Sequence, residues 1–296
     1  MTLRIGVHPS NPTLDTFARS AELQKPLVDA GVDYTIVRYP DGVETVDLFR
    51  IGAIDVSGTG FTPPITLLSE GVDVVFLATS QPRAGEYGGG LVVRSDSGIS
   101  SVADLRGRSV SLALGSWQTS SLAFSLDRGG LTWDDITPVR LSVPAALFAF
   151  RNGDLDAWVI DEPTLSKVRR ELDVTVLVPT ADVLSHPSVF FGTRRAATEE
   201  PDAVRVLLEA LDATDAWIEA NPEQAAELLV EGTLRSEADA LASLTTRPWG
   251  LHLPSAAFLA EEERAGTLLH RFGVLPTAPQ PSAAVPPTAP FTPRTS

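Results

Sequence analysis

Hydroxyl and amide side chains cluster at the start of one predicted helix in the middle of the chain. The stretch GSWQTSSLAFSLDRGG begins at Gly115 and continues with Ser116, Trp117, Gln118 and Thr119. The first N–H groups of a helix lack partners within the helix, and the helix dipole favours negative charge there. This helix start is therefore a candidate anion site. The alternative is that Ser116 is only an N-cap, which stabilises a helix by about 1 kcal/mol.

Small and polar residues also follow other predicted strands. They are His8 and Asn11 after the first strand, Gly58, Thr59, Gly60 and Phe61 after the third, Thr79 after the fourth, and Asp161 and Glu162 after a later one. In open parallel sheets, ligands bind beyond the carboxyl ends of the strands. We therefore predict that these residues converge on one site with the helix start at Ser116.

Several of these residues also have structural explanations. A loop histidine such as His8 is often structural or solvated, although an ordinary pKa near 6.5 also suits it to general-base chemistry. Gly58 and Gly60 form either an anion-binding nest or a tight turn between strand and helix. Asp161 and Glu162 recognise an amine, act as acid and base, or cap the following helix.

Two arginines, Arg83 and Arg94, flank the link between the two halves of the chain. Either could pair with an acidic group of a ligand. Arg94 could equally form a surface ion pair with Asp96.

Strands and helices alternate from residue 3 onward, which predicts an α/β fold with mainly parallel sheets and helices on both faces. The rhythm breaks near residues 90–96 and 187–193, so we predict two α/β lobes joined by two crossing strands, with a ligand cleft between the lobes. The predicted boundaries give lobe 1 residues 1–93 and 190–275, and lobe 2 residues 94–189. Residues 276–296 are rich in Pro and Ala and predict a disordered or surface-draped tail.

Composition excludes several classes of function. The net charge of −15 argues against a nucleic-acid partner or an anionic membrane surface. The chain has no cysteine, which excludes disulfides and cysteine nucleophiles, and its four histidines show no metal-ligand spacing. We therefore predict no metal and no cofactor.

The sequence also bears on location. No run of about 18 apolar residues predicts a membrane span. No signal peptide precedes the first strand, so the sequence as it stands predicts a cytoplasmic protein, extracytoplasmic only if the N-terminus was trimmed.

Residues 95–163 resemble the solute-binding proteins of sulfonate, taurine and nitrate ABC transporters. That family has a DS-I entry followed by DL-GK-V, a GS helix start, a GL…DI connection and a GD-DAW segment ending in Pro. The matching residues are Asp96, Ser97, Ile99, Asp104, Leu105, Gly107, Val110, Gly115, Ser116, Gly130, Leu131, Asp135, Ile136, Gly153, Asp154, Asp156, Ala157, Trp158 and Pro163. Upstream, YPDGVETVDLFRIGAIDVSGTGFTPPI resembles another family stretch, and the likeness covers nearly all of residues 3–275.

The resemblance implies a type II periplasmic-binding-protein fold with ligand contacts after the first and third strands and at the GS helix start. The chain departs from this family in lacking a signal peptide, since such proteins are normally exported. It also lacks the aromatic residue or histidine that several relatives carry four residues after the serine of the GS start.

More distantly, the chain resembles the cytoplasmic aryl-sulfinate desulfinases, which share this fold. Those enzymes use a cysteine in the loop after the first strand. The corresponding loop here is HPSNPT, and the chain has no cysteine. The desulfinase mechanism therefore does not carry over.

Two functions follow from these patterns. The first is a non-catalytic binding protein for a small sulfonate-like or carboxylate-like anion, working with an ABC permease if it is exported. In it, Ser116, Gln118 and Thr119 hold the anion, while the first lobe contributes His8, Asn11, Thr59, Gly60 and Phe61. The second is a cytoplasmic lyase, desulfinase-like or decarboxylase-like, with His8 as base and Asp161 or Glu162 as its partner. We prefer the first, because the sequence contains no paired catalytic constellation.

Overall fold

The fold is that of a computed structural model, which describes residues 2–81, 89–162, 164–233, 235–245 and 247–294. Its strands are β1 (Leu3–Val7), β2 (Tyr34–Arg38), β3 (Val56–Thr59), β4 (Val74–Ser80), β5 (Gly90–Arg94), β6 (Ser109–Ser111), β7 (Thr137–Val139), β8 (Ala157–Ile160), β9 (Val174–Pro179), β10 (Val189–Thr193) and β11 (Leu251–His252). Its α-helices are α1 (Pro12–Arg19), α2 (Ala21–Asp29), α3 (Thr45–Arg50), α4 (Thr62–Ser69), α5 (Trp117–Arg128), α6 (Val143–Asn152), α7 (Thr164–Glu171), α8 (Arg194–Glu199), α9 (Pro201–Ala220), α10 (Pro222–Val230), α11 (Glu237–Thr245) and α12 (Ala256–Arg271). Short 3-10 turns lie at Gly42–Glu44, Val102–Leu105, Trp133–Asp135, Thr180–Asp182 and Pro281–Ala283.

The strands form two separate sheets, which confirms the predicted α/β fold with two lobes. The first sheet has the strand order β11-β4-β10-β3-β1-β2, and the second has the order β7-β6-β8-β5-β9. Strand β1 is parallel to β2 and β3, and β6 is parallel to β7 and β8. Strands β10 and β5 run antiparallel to both of their neighbours, because each has just entered its sheet from the other lobe.

The two connections between the lobes are bonded to each other where they leave the first lobe and where they enter the second. On the first-lobe side, the Ser80 N–H donates to the Ser188 carbonyl, and the Ser188 N–H donates to the Ser80 hydroxyl, each at 2.9 Å. On the second-lobe side, the Thr180 N–H donates to the Gly89 carbonyl at 2.9 Å. The lobes are thus joined by two short segments that are hydrogen-bonded to each other at both ends.

The structure moves both crossings away from the places that the sequence predicted. We expected Gly90–Asp96 and Ser188–Arg194 to run side by side as the links, with lobe boundaries at residues 93/94 and 189/190. Instead, β5 lies wholly in the second sheet and β10 wholly in the first. The apolar side chains Leu91, Val92 and Val93 explain the first shift, since each is at most 1% exposed within the second lobe.

The lobes also contact each other through α5, which belongs to the second lobe. One hydrophobic core contains Leu122 and Leu126 of α5 together with Phe61 and Phe258 of the first lobe. The Thr62 and Ser120 hydroxyls hydrogen-bond at 2.7 Å between α4 and α5. This packing fixes the position of α5, whose N-terminus carries the candidate anion site.

The C-terminal tail is ordered against the first lobe as far as Arg294. The Phe76 N–H of β4 donates to the Ala284 carbonyl at 2.8 Å. Phe291 is 3% exposed, and Arg294 pairs with Asp212 at 2.9 Å. Of the two predicted alternatives, the draped tail is therefore right and the disordered tail is wrong for residues 276–294.

Within the described ranges, no helix is long and apolar enough to cross a bilayer. The same ranges contain no group of three or more His, Asp or Glu side chains placed to hold a metal ion.

Candidate ligand-binding cleft

A cavity of about 480 Å³ lies where the two lobes face each other. It brings together nine of the residues predicted from strand ends and from the helix start. They are His8, Asn11, Thr59, Gly60, Ser116, Trp117, Gln118, Asp161 and Glu162.

His8 enters the cleft from the end of β1 but is only 3% exposed. Its Nε2 lies 2.9 Å from the Gly58 carbonyl, so Nε2 carries the proton and Nδ1 is the lone-pair nitrogen of the neutral ring. Burial lowers the pKa of His8, although the Gly58 carbonyl and the charges of Asp41 and Asp15 oppose that effect. The ordinary pKa expected from the sequence is therefore corrected, and the ring is neutral near pH 7.

Asn11 lies beside His8 and serves as the N-cap of α1. Its Oδ1 accepts the Leu14 N–H at 3.0 Å. Its Nδ2 is buried and has no hydrogen-bond partner among the described residues. A Cβ atom at Gly58 would lie 2.6 Å from this Nδ2. Gly58 is therefore needed for the close approach of β3 to Asn11, which leaves one buried amide donor at the cleft wall.

The helix start at Ser116 uses many of its polar groups to bond itself. The Ser116 hydroxyl donates to the Ala113 carbonyl at 2.7 Å and accepts the Gln118 N–H at 3.2 Å. The Gln118 Oε1 accepts the Ala113 N–H at 2.6 Å, and the Thr119 hydroxyl accepts the Gly115 N–H at 2.8 Å. The N-cap alternative therefore describes Ser116 correctly, and the same bonds hold Ser116 and Gln118 at the cavity surface.

Trp117 lines the cleft and contacts the second crossing. Its ring packs against the tilted ring of His186 in the second crossing, with the centroids 4.0 Å apart and an interplanar angle of 32°. A Cβ atom at Gly60 would lie 3.0 Å from the Trp117 Cβ, so Gly60 lets the first lobe approach α5 closely. His186 has a φ of +48°, a backbone conformation that is rare for a residue with a side chain.

The acidic residues of the cleft have structural roles as well. The Glu162 Oε2 accepts the Ser166 N–H at 3.1 Å near the start of α7. The Asp41 Oδ1 accepts the Val43 N–H at 3.1 Å, which caps the following 3-10 turn. Asp161 also lines the cavity.

Four of the described residues predicted from strand ends and from the helix start do not line the cavity. Phe61 is fully buried and packs edge-on against Phe258 at 5.9 Å, so its predicted place in the cleft is corrected. Thr79 lies within β4 and pairs with Val189 and His252. Thr119 is 1% exposed, and Gly58 contributes through its carbonyl to His8.

Arg83 lies outside the described residues. Arg94, the second arginine beside the link, is bonded to Asp96 and to carbonyls of the second lobe.

Sequence analysis missed two arginines that line the cleft, Arg235 and Arg247. They flank α11 and neither follows a strand, so the rule that ligands bind beyond the carboxyl ends of strands could not select them. Arg235 donates to the Ser243 hydroxyl and to the Asp239 carbonyl and forms no ion pair with a described acidic side chain. Burial lowers the pKa of Arg235, but a guanidinium stays charged at neutral pH.

Arg247 approaches the cleft from the segment that follows α11. Its Nε donates to the Ser243 carbonyl at 3.2 Å, and its guanidinium lies 5.7 Å from the Trp249 ring centre. The two arginines therefore bring positive charge into a cleft of an otherwise acidic protein.

Residues 27–225 match the family model described as NMT1/THI5 like. The chain belongs to this family. It is also 30% identical over 213 residues to a protein of Escherichia coli (strain K12) that is named an aliphatic sulfonates-binding protein. That match spans 72% of this chain but 66% of the relative, just under two thirds of its length.

Solved structures of related proteins share the whole fold. The periplasmic aliphatic sulphonate binding protein SsuA from Escherichia coli superposes with a TM-score of 0.82 at 25% identity, covering 96% of this chain and 91% of that one. The alkanesulfonate-binding protein SsuA from Xanthomonas axonopodis pv. citri, bound to MOPS, gives 0.81 at 26% identity, covering 96% and 97%. The type II periplasmic-binding-protein fold is thus confirmed.

A mutant of the desulfurization enzyme DszB, in complex with biphenyl-2-sulfinic acid, gives a TM-score of 0.65 at 19% identity over 98% of this chain and 97% of that one. At that identity the likeness concerns the fold alone.

Proposed function

We propose that this NMT1/THI5-like protein is a substrate-binding protein that holds a small organic sulfonate in the cleft between its lobes. The observation that carries the proposal is that Arg235 and Arg247 line the same cavity as the N-terminus of α5. Arginine suits this task, because its planar set of N–H donors matches an oxyanion with several acceptor oxygens. The related proteins named for sulfonate binding point to a sulfonate as the anion.

The remaining residues of the cleft have defined parts in this proposal. Ser116 and Gln118 add polar contacts next to the helix N-terminus, and the Asn11 amide offers a donor from the first lobe. Neutral His8 and the Trp117–His186 pair form walls around the carbon part of the ligand. Closure of the lobes on their two short crossings would exclude water and so strengthen each charged hydrogen bond.

The proposal extends to partner and location. Since the solved relative from Escherichia coli is periplasmic, we propose that this protein works outside the cytoplasm, in place of the cytoplasmic location expected from the sequence. Its partner would be the permease of an ABC transporter, which accepts the ligand when the lobes open.

We do not retain the alternative of a desulfinase-like enzyme. It would require a nucleophile that the chain, which has no cysteine, does not supply in the loop after β1. The neutral, buried His8 with its proton on Nε2 is bonded to Gly58 rather than to an acid–base partner.

Calorimetry with ethanesulfonate and with propionate, its carboxylate counterpart, tests the proposal. We expect ethanesulfonate to bind and propionate to bind more weakly. Arg235→Ala and Arg247→Ala should each weaken sulfonate affinity by about tenfold or more, because a charged hydrogen bond contributes about 1.5–3 kcal/mol.

The matched control is Arg205→Ala on the outer face of α9, where Arg205 is 44% exposed and pairs with Glu209. This variant should bind like the wild type. The proposal is wrong if no sulfonate binds, or if the cleft variants behave like Arg205→Ala.

A further inference from the structure

Helix α9 carries two buried carboxylates one turn apart, Asp212 and Asp215, which are 2% and 1% exposed. Each accepts a backbone N–H from the segment that follows α11. The Gly250 N–H donates to Asp215 Oδ2 at 3.0 Å, and the Leu251 N–H donates to Asp212 Oδ1 at 2.9 Å. Two consecutive backbone groups are therefore fixed by one helix.

We call residues 247–252 the cleft arm, because this segment carries Arg247 into the cleft. Gly250 has a φ of +99°, so the arm turns sharply there in a conformation that favours glycine. Beyond this turn, Leu251 and His252 form β11 and pair with β4 at Ser80 and Thr79. The position of Arg247 thus depends on how α9 and β4 hold the arm.

Asp215 also bonds to α1 of the same lobe. Its Oδ1 accepts the Thr13 hydroxyl of α1 at 2.6 Å, two residues after the cleft residue Asn11. Asp215 and Arg247 line a small cavity of about 10 Å³, together with Thr13, Ser80, Ser188 and neighbouring residues of the arm. Ser80 and Ser188 are the residues that bond the two crossings to each other.

We propose that Asp215 is a positioning residue for anion binding, because it holds the cleft arm so that Arg247 faces the ligand. The negative charge of Asp215 also competes with the ligand for Arg247. This inference rests on the proposed function. It concerns a residue that does not line the main cleft and that sequence analysis did not select.

The surroundings of Asp215 set the pH at which its carboxyl group ionises. Burial raises the pKa of Asp215 to about 7, and the charge of Asp212 acts in the same direction. The Thr13 hydroxyl, the Gly250 N–H and the Arg247 charge lower it. Arg294 acts one step away, since it pairs with Asp212.

The direction of the pH effect follows from this arrangement. Below about pH 7, Asp215 is neutral and leaves the charge of Arg247 available to a bound anion. Above it, the ionised carboxylate offsets that charge, so anion affinity should fall as the pH rises. If a bound anion raises the pKa of Asp215 by about one unit, affinity on the alkaline side is about tenfold weaker.

Calorimetric titration with ethanesulfonate from about pH 5.5 to about pH 8.5 tests this, because the sulfonate stays ionised throughout. We expect the wild type to lose about tenfold in affinity over this range and Asp215→Asn to lose much less. His8 and His186 also line the cleft and are titratable, but their contribution remains in Asp215→Asn. Only the difference between the two proteins is assigned to Asp215.

The matched control is Asp202→Asn, which removes a carboxylate from the same helix. The Asp202 side chain is 93% exposed and pairs with Arg205. This variant should keep the pH profile of the wild type. A second variant, Thr13→Val, removes the hydroxyl that bonds Asp215 and should shift the midpoint of the profile upward, because that bond favours the ionised form.

Hydrogen exchange without ligand tests the positioning role separately from sulfonate binding. In Asp215→Asn, the amides of Gly250 and Leu251 should exchange faster than in the wild type. If the wild type binds ethanesulfonate and the affinity of Asp215→Asn changes with pH in parallel with it, the role of Asp215 is wrong and the proposed function stands. Unchanged exchange at the Gly250 and Leu251 amides also overturns the role of Asp215 alone. Failure of the wild type to bind any sulfonate, with faster exchange still seen in Asp215→Asn, overturns the proposed function and leaves Asp215 a purely structural group.

Discussion

Single residues of this protein have roles that depend on their surroundings as much as on their type. His8 has the position that the sequence predicts, at the end of β1, but burial lowers its pKa and its Nε2–H donates a hydrogen bond to the Gly58 carbonyl. A side chain chosen as a candidate base is therefore better described as a neutral wall of the cleft. Arg235 and Arg247, which no motif marks, supply the positive charge.

Glu262 is a second residue whose surroundings determine its chemistry. It is fully buried in α12, and neither carboxyl oxygen has a hydrogen-bond partner among the described residues. Burial raises the pKa of Glu262 well above its ordinary value of 4.5, and Glu261 acts in the same direction. Glu262 is therefore protonated in the folded protein over a range of pH in which it is ionised in the unfolded chain.

We predict that Glu262→Gln stabilises the protein increasingly as the pH rises. A carboxyl whose pKa is raised by folding contributes its full stability at pH values below the pKa of the unfolded chain. This stability is lost as the pH rises towards the pKa of the folded protein, by at most about 1.4 kcal/mol per pH unit. Gln has nearly the same shape but does not titrate, so the loss is absent from the variant. Urea denaturation at several pH values between about 4 and about 8 measures the difference.

The control for this prediction is Glu219→Gln at the exposed end of α9, which should leave the pH dependence of stability unchanged. A constant difference between Glu262→Gln and wild type at every pH would contradict the prediction.

At the scale of elements, the start of α5 combines a structural cap with a place in the cleft. Ser116 accepts the Gln118 N–H as N-cap and also lines the cavity. Ser142 does the same capping for α6, where its hydroxyl accepts the Ala145 N–H at 3.4 Å, but it does not line the cavity. The two serines therefore separate capping from ligand binding within one lobe.

We predict that Ser116→Ala and Ser142→Ala each lower the free energy of unfolding by about 1 kcal/mol, the usual effect of losing an N-cap. Only Ser116→Ala should also weaken ethanesulfonate binding, by about two- to tenfold, since one hydrogen bond contributes about 0.5–1.5 kcal/mol. Urea denaturation and calorimetry measure the two effects. Equal sulfonate affinities in both variants would remove Ser116 from the site.

At the scale of the whole molecule, the ends of the chain meet on the first lobe. The tail lies against β4 at Ala284 and places Phe291 in the same core as Leu3 and Ile5 of β1. Arg294 then joins the network of Asp212 that holds the cleft arm. The tail as far as Arg294 therefore supports the lobe that carries half of the cleft.

We predict that Phe291→Ala lowers the free energy of unfolding by about 3–5 kcal/mol, the usual range for removing a buried phenylalanine. The control is Phe148→Ala, whose aromatic ring is on the surface with the residue 65% exposed, and which should change stability by at most about 0.5 kcal/mol. Urea denaturation of both variants measures the contrast. Similar stabilities would mean that the tail does not contribute to the folded core.

The sequence by itself determined the local elements and the class of fold. Alternating strand and helix patterns predict the α/β lobes, because burial of one face of each element leaves a periodic signal. The strand-end rule also predicted His8, Asn11, Gly60, Ser116 and Trp117 at one cleft, because parallel strands bring their carboxyl ends together.

Only the tertiary structure decided which residues from distant parts of the chain meet at that cleft. Arg247 reaches it because α9 fixes the cleft arm through Asp212 and Asp215. Arg235 reaches it from the other end of α11, where it is bonded to Asp239 and Ser243. No short-range pattern records such contacts. The same holds for Phe61, which packs in the core although it follows a strand, because α12 returns to cover it. Side-chain burial and long-range hydrogen bonds depend on how whole helices and strands pack together. The tertiary structure therefore decides which charged groups line the cleft and which side chains a ligand can contact.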